Sequence, residues 1–178
     1  SDFAKQLGSC EQFTFDLETT DIDPMRAEIV GLSFSWKQGE AYYIPAVSEK
    51  VTAAADLFTT NKFRGLPLKT VLDVLKPILE NKTIRKCGQN VKYDMLVMRR
   101  HGITMPSAAF DTMVAGYLLR ADGQHSLDSM ALDVLQYRMV SYDDLTGTGK
   151  NRIPITTVPV DRVAEYAAED AYFSLRLS

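Results

Sequence analysis

Two acidic residues stand two positions apart in the stretch FTFDLETTDID, which begins at Phe13. Phe13, Phe15 and Leu17 alternate with polar residues, which is the period of a strand with one face on the core. Asp16 and Glu18 therefore share the other face, with Cα atoms roughly 6 to 7 Å apart. Two carboxylates this close belong either to a solvated sheet face or to a site that binds a cation.

Two later segments place polar residues four positions apart. Asn90 and Asp94 stand in GQNVKYDMLVMRR, and Tyr166 and Asp170 stand in EYAAEDAYFSL. Both segments have helical periodicity, and on a helix a spacing of four puts two side chains on one face. Taken singly, a helical aspartate is usually solvated and a tyrosine beside small residues is usually part of a core. These residues gain a chemical meaning only as a set.

The four acids Asp16, Glu18, Asp94 and Asp170 together suit divalent cations. Mg²⁺ and Mn²⁺ take oxygen ligands, and two such ions about 4 Å apart stabilise both the attacking and the leaving oxygen of a phosphoryl transfer. Four carboxylates would offset the charge of two ions. The set therefore predicts a metal-dependent reaction at a phosphodiester.

Composition indicates one globular domain. The chain has 178 residues, of which 46% are hydrophobic and 24% charged, and its formal net charge is -3. Because the whole chain is not basic, any nucleic acid must be held locally, by a patch or by metal ions. Cys10 and Cys87, the only cysteines, lack zinc-site spacing, which favours reduced thiols in the cytoplasm. Neither a membrane span nor a signal peptide is expected.

Hydrophobic periodicity predicts strands first, then strand and helices mixed. The predicted strands are Gln12–Glu18, Glu28–Trp36, Ala41–Ala46 and Thr83–Gly88. A helix is predicted between the last two of them, at Pro67–Asn81. The first three strands form an antiparallel meander. Pro77 should bend or split the end of its helix, Gly102 should end the next helix, and Ser126 should cap a later one. Residues 53–64 are expected to be a loop or small insertion. This order predicts an α/β domain with a central mixed sheet flanked by helices.

The ordered motifs D-x-E, N-x-x-x-D and Y-x-x-x-D resemble the tyrosine-bearing subgroup of the DEDD exonuclease superfamily. The surrounding stretches FDLETTDID, GQNVKYDMLVMRRHGI, FDTMVAGYLL, GTGKN and AEYAAEDA resemble the proofreading 3′–5′ exonuclease domains of bacterial family A DNA polymerases, those of the DNA polymerase I type. The resemblance covers roughly Gln12 to Leu177. It implies a ribonuclease H-like exonuclease fold, with residues 1–178 as one exonuclease domain.

The resemblance also implies a role for each acid, with two divalent cations, Mg²⁺ or Mn²⁺, as cofactors. Asp16 would bridge both ions, and Glu18 and Asp170 would complete the site of the ion that holds the attacking water. Asp94 would act on the second ion, partly through water. Tyr166 would hydrogen-bond to the attacking water.

The same resemblance implies contacts to a single-stranded or frayed DNA 3′ end. Thr19 would touch the terminal nucleotide, and Ile22 would wedge between the last two bases. Asn90 and Tyr93 would line the path of the strand, and Tyr142 would support an unpaired base. From the residues alone, Ile22 could equally be a core plug, and Tyr142 a loop tyrosine anchored on the core.

The stretch around Tyr142, MVSYDDLTGTGKN, predicts an exposed loop because of its glycines. Stacking of an aromatic ring on a base there is worth about 1 to 3 kcal/mol. Lys150 and Arg152 in and after this stretch are either phosphate contacts or ordinary surface charges. Gln124 departs from the pattern, since some relatives carry arginine there. That departure puts one phosphate contact in doubt, but not the metal site.

Three functions remain open from the sequence: an active proofreading exonuclease, a catalytically silent scaffold of the same fold, and a free-standing nuclease of the ribonuclease D type. The complete set of acids favours activity, because a silent domain gains nothing from mutually repelling carboxylates. GTGKN and FDTM favour the polymerase type. The chain stops at SLRLS inside a helical pattern, which predicts a fragment of a longer polypeptide with a polymerase domain following. The expected protein is monomeric and works at the bacterial nucleoid.

Overall fold

The computed structural model describes residues 1–48, 65–106 and 108–178. The expected loop over 53–64 lies outside these ranges. The strands are β1 (Gln12–Thr19), β2 (Ile29–Lys37), β3 (Glu40–Val47), β4 (Leu66–Pro67), β5 (Arg85–Gly88) and β6 (Phe110–Asp111). The helices are α1 (Asp2–Ser9), α2 (Leu68–Leu79), α3 (Val91–Arg100), α4 (Thr112–Leu119), α5 (Leu127–Leu135), α6 (Tyr142–Thr146) and α7 (Val160–Leu177). Two 3₁₀ turns, Gly149–Asn151 and Ile155–Thr157, precede α7.

The strands form one mixed sheet in the order β4-β3-β2-β1-β5-β6. The first three strands pair antiparallel, which confirms the predicted meander. The other pairs, β1 with β5, β5 with β6 and β3 with β4, are parallel. The strand that carries Asp16 and Glu18 is therefore central, flanked by β2 and β5.

Both faces of β1 are covered. Phe13, Phe15 and Leu17 are buried in the main core, as the alternation predicts. On the other face Thr14 and Glu18 are buried as well, because α7 packs across β1, β2 and β3. The possibility of a solvated sheet face is therefore wrong. Alternation shows which side chains share a face, but not whether another element covers that face.

Helix α7 can lie close to the sheet because several residues on its buried face have small side chains. Ala167 and Ala171 are completely buried, together with Val163. Of the two alanines in EYAAED that predict a close approach, Ala167 is buried and Ala168 is half-buried. Since α7 also carries Tyr166 and Asp170, the same packing brings these side chains to the polar face of β1.

The predictions made for Pro77 and Gly102 had different outcomes. Helix α2 continues through Pro77 to Leu79, so of the two expected effects, a bend or a split, the split is wrong and the bend stays a prediction. Only the last turn loses a hydrogen bond there, and the buried Leu75, Ile78 and Leu79 keep that turn on the core. Gly102, with φ of +75°, follows the end of α3 as predicted.

The prediction that Asn90 and Asp94 share one helix face is wrong. Asn90 has φ of 53°, a left-handed conformation, and α3 begins only at Val91. Asparagine tolerates this conformation better than most residues. The carboxylate of Asp111 accepts the backbone N–H groups of Asn90 and Val91 at 3.1 and 2.9 Å, which fixes where the helix starts.

The predicted loop around Tyr142 is also wrong in part, because residues 142–146 form the short helix α6. Ser141 caps α6, and its hydroxyl accepts the N–H of Asp144 while the Asp144 carboxylate accepts the N–H of Ser141. This reciprocal capping box overcomes the turn propensity of the following glycines. At α5, Ser126 takes the predicted cap position, although its hydroxyl meets that of Ser129. Among the described helices, none is long and apolar enough to cross a membrane.

Candidate active site

Strand β1 and helix α7 bring three acids together. Asp16 and Glu18 project from the polar face of β1, and Asp170 projects from the covering helix. Each offers one carboxylate oxygen, and the three oxygens lie within 4.8 Å of one another. Asp16 and Asp170 keep partial exposure, whereas Glu18 is only 5% exposed. The cluster is thus open on one side and closed on the other.

Asp94 borders this group from α3. It is 2% exposed, and the backbone N–H of Leu17 acts on the pKa of both Asp94 and Asp16 by hydrogen bonding. Both carboxyls therefore lie beside the same N–H of β1. The negative charge of Asp94 also raises the pKa of Glu18. The fourth acid predicted from the sequence is adjacent to the other three, although it is not within their 4.8 Å group.

The acids cannot all be ionised without cost. Burial raises the pKa of Asp16 to about 7, partly offset by the hydrogen bond from Leu17. Burial raises the pKa of Glu18 well above its ordinary value, and the charges of the neighbouring acids raise it further. The pKa values of Asp94 and Asp170 are raised in the same way, by burial first and then by Asp16. Positive charge in the cluster would reverse these shifts.

One carboxylate oxygen is left without a hydrogen bond. Glu18 Oε1 is buried and has no partner among the residues that the structure describes. Buried polar atoms are normally satisfied, so an unsatisfied one in an acidic cluster indicates a ligand. The donors are all carboxylate oxygens, which suit Mg²⁺ or Mn²⁺ better than zinc or copper. The residues present therefore fit a divalent cation.

Tyr166 lies one helical turn before Asp170 on α7, and its hydroxyl acts on the pKa of the Asp170 carboxylate by hydrogen bonding. Burial, followed by the charges of Asp170 and Glu18, raises the pKa of Tyr166 well above its ordinary value. The phenol therefore stays protonated at neutral pH. The ring of Tyr142 lies edge-on to that of Tyr166, with centroids 6.2 Å apart. The guanidinium of Arg152 is 5.5 Å from the Tyr142 centroid.

The turn after β1 presents the residues expected to meet a DNA end. Thr19 Oγ1 and the Tyr93 hydroxyl are 2.6 Å apart. The Tyr93 hydroxyl also donates to the carbonyl oxygen of Asp21, which anchors the turn. Ile22 is 94% exposed, so a core plug is excluded. Tyr142 is exposed, at 38%, and the charge of Glu18 helps to raise its pKa after burial does. Asn90 is half-buried at the start of α3.

Sequence reasoning missed Gly31 and Ser33, which lie opposite Glu18 and Asp16 on the neighbouring strand. Gly31 pairs in register with Glu18, and a Cβ placed there would lie 2.2 Å from the hydroxyl oxygen of Tyr43. The ring of Tyr43 therefore occupies the space that a side chain at Gly31 would need. The signal was available, because an isolated glycine inside an apolar strand often marks a close approach. Ser33, in register with Asp16, is buried there too.

Asp111 is the third missed residue. Its carboxylate accepts backbone N–H groups from the first residues of two helices, namely Asn90 and Val91 at α3 and Met113 and Val114 at α4. The FDTM motif contains it, but the sequence alone offers no indication of a second helix 20 residues earlier. One carboxylate thus sets the starts of α3, which carries Asp94, and α4.

Comparison with known proteins places the chain in a family. A family model described as 3′-5′ exonuclease matches residues 1–178. DNA polymerase I of Pseudomonas aeruginosa is 34% identical over 180 residues, which cover 97% of this chain and 18% of that protein. DNA polymerase I of Rhizobium leguminosarum is 36% identical over 174 residues, which cover 92% of this chain and 17% of that protein. The chain therefore spans less than a fifth of the length of these relatives.

Solved structures agree with the fold. NrnC of Brucella melitensis aligns with a TM-score of 0.66 at 21% identity, over 95% of this chain and 71% of that chain. The POL domain of Pol1 from M. smegmatis, in complex with DNA primer-template and dNTP, aligns with a TM-score of 0.62 at 17% identity, over 99% of this chain and 24% of that chain. These likenesses confirm the ribonuclease H-like α/β fold. With a match along its whole length, the chain belongs to the 3′-5′ exonuclease family and is similar to the exonuclease domain of bacterial DNA polymerase I.

Proposed function

We propose that residues 1–178 form the proofreading domain of a DNA polymerase and hydrolyse the terminal phosphodiester of single-stranded or frayed DNA 3′ ends. The products are nucleoside monophosphates. The observation that carries the proposal is the cluster of three carboxylates within 4.8 Å, which includes the unsatisfied Glu18 Oε1. Membership of the 3′-5′ exonuclease family supports the direction of cleavage.

Asp16, Glu18, Asp94 and Asp170 would hold two divalent cations, Mg²⁺ or Mn²⁺. When bound, these ions supply charge stabilisation at the scissile phosphate and a nucleophile at neutral pH. The proposal that Asp16 bridges the two positions is supported by its charge, which raises the pKa of each of the other three acids. It is the carboxylate that all the others have as a neighbour.

Tyr166 has a separate role, which is to orient the attacking water. Its hydroxyl lies beside the Asp170 carboxylate, and its raised pKa keeps it protonated. It therefore acts by hydrogen bonding and does not serve as a general base. The neighbouring Tyr142 would support an unpaired base, and Arg152 would keep its ring in place.

The DNA end would enter beside the turn after β1. The exposed Ile22 would separate the last two bases, while Thr19 and Asn90 would contact the terminal nucleotide and its strand. Tyr93 would line the strand and hold the turn through Asp21. Melting or flipping a paired end costs a few kcal/mol, and less for a mismatch, which would provide much of the selectivity.

The test is digestion of 3′-labelled and 5′-labelled single-stranded oligodeoxynucleotides, with and without Mg²⁺ or Mn²⁺. We expect stepwise loss from the 3′ end only in the presence of a cation, and faster removal from mismatched than from matched duplex ends. No cleavage at all would indicate a silent scaffold. Cleavage of an oligoribonucleotide in preference to DNA would indicate a ribonuclease D type of nuclease.

The partner in this proposal is a polymerase domain in the same polypeptide, following α7. The support is that the relatives are DNA polymerase I and more than five times the length of this chain. Association with the bacterial nucleoid and a monomeric state remain predictions that follow from the same assignment.

A further inference from the structure

A buried threonine joins the two elements that carry the acids. Thr14 lies on β1 two residues before Asp16, on the same face of the strand. Its side chain is fully buried, with Oγ1 2.7 Å from the carbonyl oxygen of Ala171 on α7 and 3.0 Å from that of Ser35 on β2. A hydroxyl has one proton, so it donates to one carbonyl at a time. The shorter distance favours Ala171.

The position of this hydrogen bond matters because Ala171 directly follows Asp170. Other buried residues of α7, such as Ala167 and Val163, offer only apolar side chains. Apolar contacts have no preferred direction, so they allow a helix to shift along a sheet. A hydrogen bond of 2.7 Å restricts such a shift at the turn that carries Asp170.

We propose that Thr14 is a positioning residue for the cation site, which acts by holding Asp170 at its distance from Asp16 through the Ala171 carbonyl. This inference rests on the proposed function for the identity of the site. Thr14 touches no substrate and supplies no ligand. It acts in the way that groups behind metal ligands do, by fixing the geometry of those that bind.

The test compares Thr14→Val, which keeps the shape and removes the donor, with Thr14→Ser, which keeps the donor. The first measurement needs no activity: the thermal unfolding temperature of the 178-residue chain during titration with Mn²⁺ or Mg²⁺. For Thr14→Val we expect the cation concentration at half-maximal stabilisation to rise about tenfold or more. Thr14→Ser should stay close to the wild-type protein. The second measurement is kinetic, and kcat should fall in Thr14→Val while KM for the oligonucleotide changes little.

Ser174→Ala is the matched control. Ser174 is buried on the same helix, and its hydroxyl has no hydrogen-bond partner within the described part of the chain. Removing this hydroxyl should leave the cation titration unchanged. A second control combines Thr14→Val with Asp170→Ala. If Thr14 acts through Asp170, the double variant should bind the cation no more weakly than Asp170→Ala alone.

A wild-type cation titration for folded Thr14→Val, or the same loss in the Asp170→Ala background, would overturn the proposal. If Thr14→Val does not fold, Thr14→Ala removes the same hydroxyl and is judged by the same two criteria. A wild-type protein that is stabilised by cations but digests no DNA would refute the proposed function only. Absence of any cation effect in the wild-type protein would refute both proposals.

Discussion

Asp16 differs from the other acids because its charge acts on all of them, as the raised pKa values of Glu18, Asp94 and Asp170 show. It also follows a fully buried segment of a central strand, so its backbone has little freedom to move. Tyr166, by contrast, borders the cluster beside Asp170 and supplies no carboxylate. Loss of these residues should therefore cause defects of different size.

Asp16→Ala should leave exonuclease activity near the background of the assay, because it removes the carboxylate shared by both proposed cation positions. Asp170→Ala should fall close to it, since it also removes a ligand. Tyr166→Phe should lose roughly 10²-fold and at most about 10⁴-fold, the range of a single acid–base or orienting contact. The measurement is the initial rate on a single-stranded oligonucleotide at saturating Mg²⁺. Near-normal rates for folded Asp16→Ala would disprove the metal site.

Ile22 permits a test of strand separation without a cost in stability. Because its side chain is 94% exposed, Ile22→Ala should leave the unfolding temperature unchanged. We expect slower removal of a nucleotide from duplex ends, with a smaller effect on single strands, since only duplex ends must be melted. Met25→Ala, at a nearby exposed apolar residue of the same turn, serves as the control. An equal loss on both substrates would argue against a wedge.

At the scale of elements, the site depends on the residue at which α3 begins and on the position of α7 against the sheet. Asp111 is the residue that sets the start of α3, and it does so from the start of α4. A side chain that caps two helices couples their positions. The start of α3 matters for the site because Asp94 lies in its first turn.

Asp111→Ala should destabilise the protein by about 1 to 3 kcal/mol, because two helix caps are lost together. It should also lower exonuclease activity more than its effect on folding explains, since the turn that carries Asp94 is freed. The checks are chemical denaturation and the rate at a temperature where the variant is folded. Asp144→Ala, which removes only the carboxylate half of the capping box of α6, should cost less stability. Equal costs for the two variants would contradict the double-cap interpretation.

For the whole molecule, the acidic cluster means that folding and cation binding are linked. The folded pKa of Asp16 is about 7, above its ordinary unfolded value of about 3.9. For a carboxyl with a raised pKa, the stabilising contribution is complete below the unfolded pKa and is lost as the pH rises through the folded pKa. Without a cation, the protein should therefore lose stability between about pH 4 and pH 7.

Asp16→Asn should test this linkage, because the amide stays neutral at every pH. With a chelator present at pH 8, the variant should unfold about 5 °C or more above the wild-type protein. The difference should shrink at pH 5, where the wild-type carboxyl takes up its proton. Added Mn²⁺ should stabilise the wild-type protein more than the variant. A difference that does not depend on pH would show that the charge of Asp16 is not the cause.

The sequence by itself determined the strand that carries Asp16 and Glu18, the meander that follows, and the helix that carries Tyr166 and Asp170. These predictions were confirmed because each depends on local periodicity, which a short segment contains in full. The exposed state of Ile22 could not be decided in this way. An isolated apolar residue in an acidic turn has no periodicity to show which way it faces.

Only the tertiary structure decided how the acids meet. The cover of α7 on the polar face of β1, the left-handed Asn90 and the double cap at Asp111 all join segments that are far apart in the chain. The hydrogen bond from Thr14 to Ala171 spans 157 positions. Local propensity cannot predict such contacts, because the residue that stabilises each conformation lies far away in the sequence.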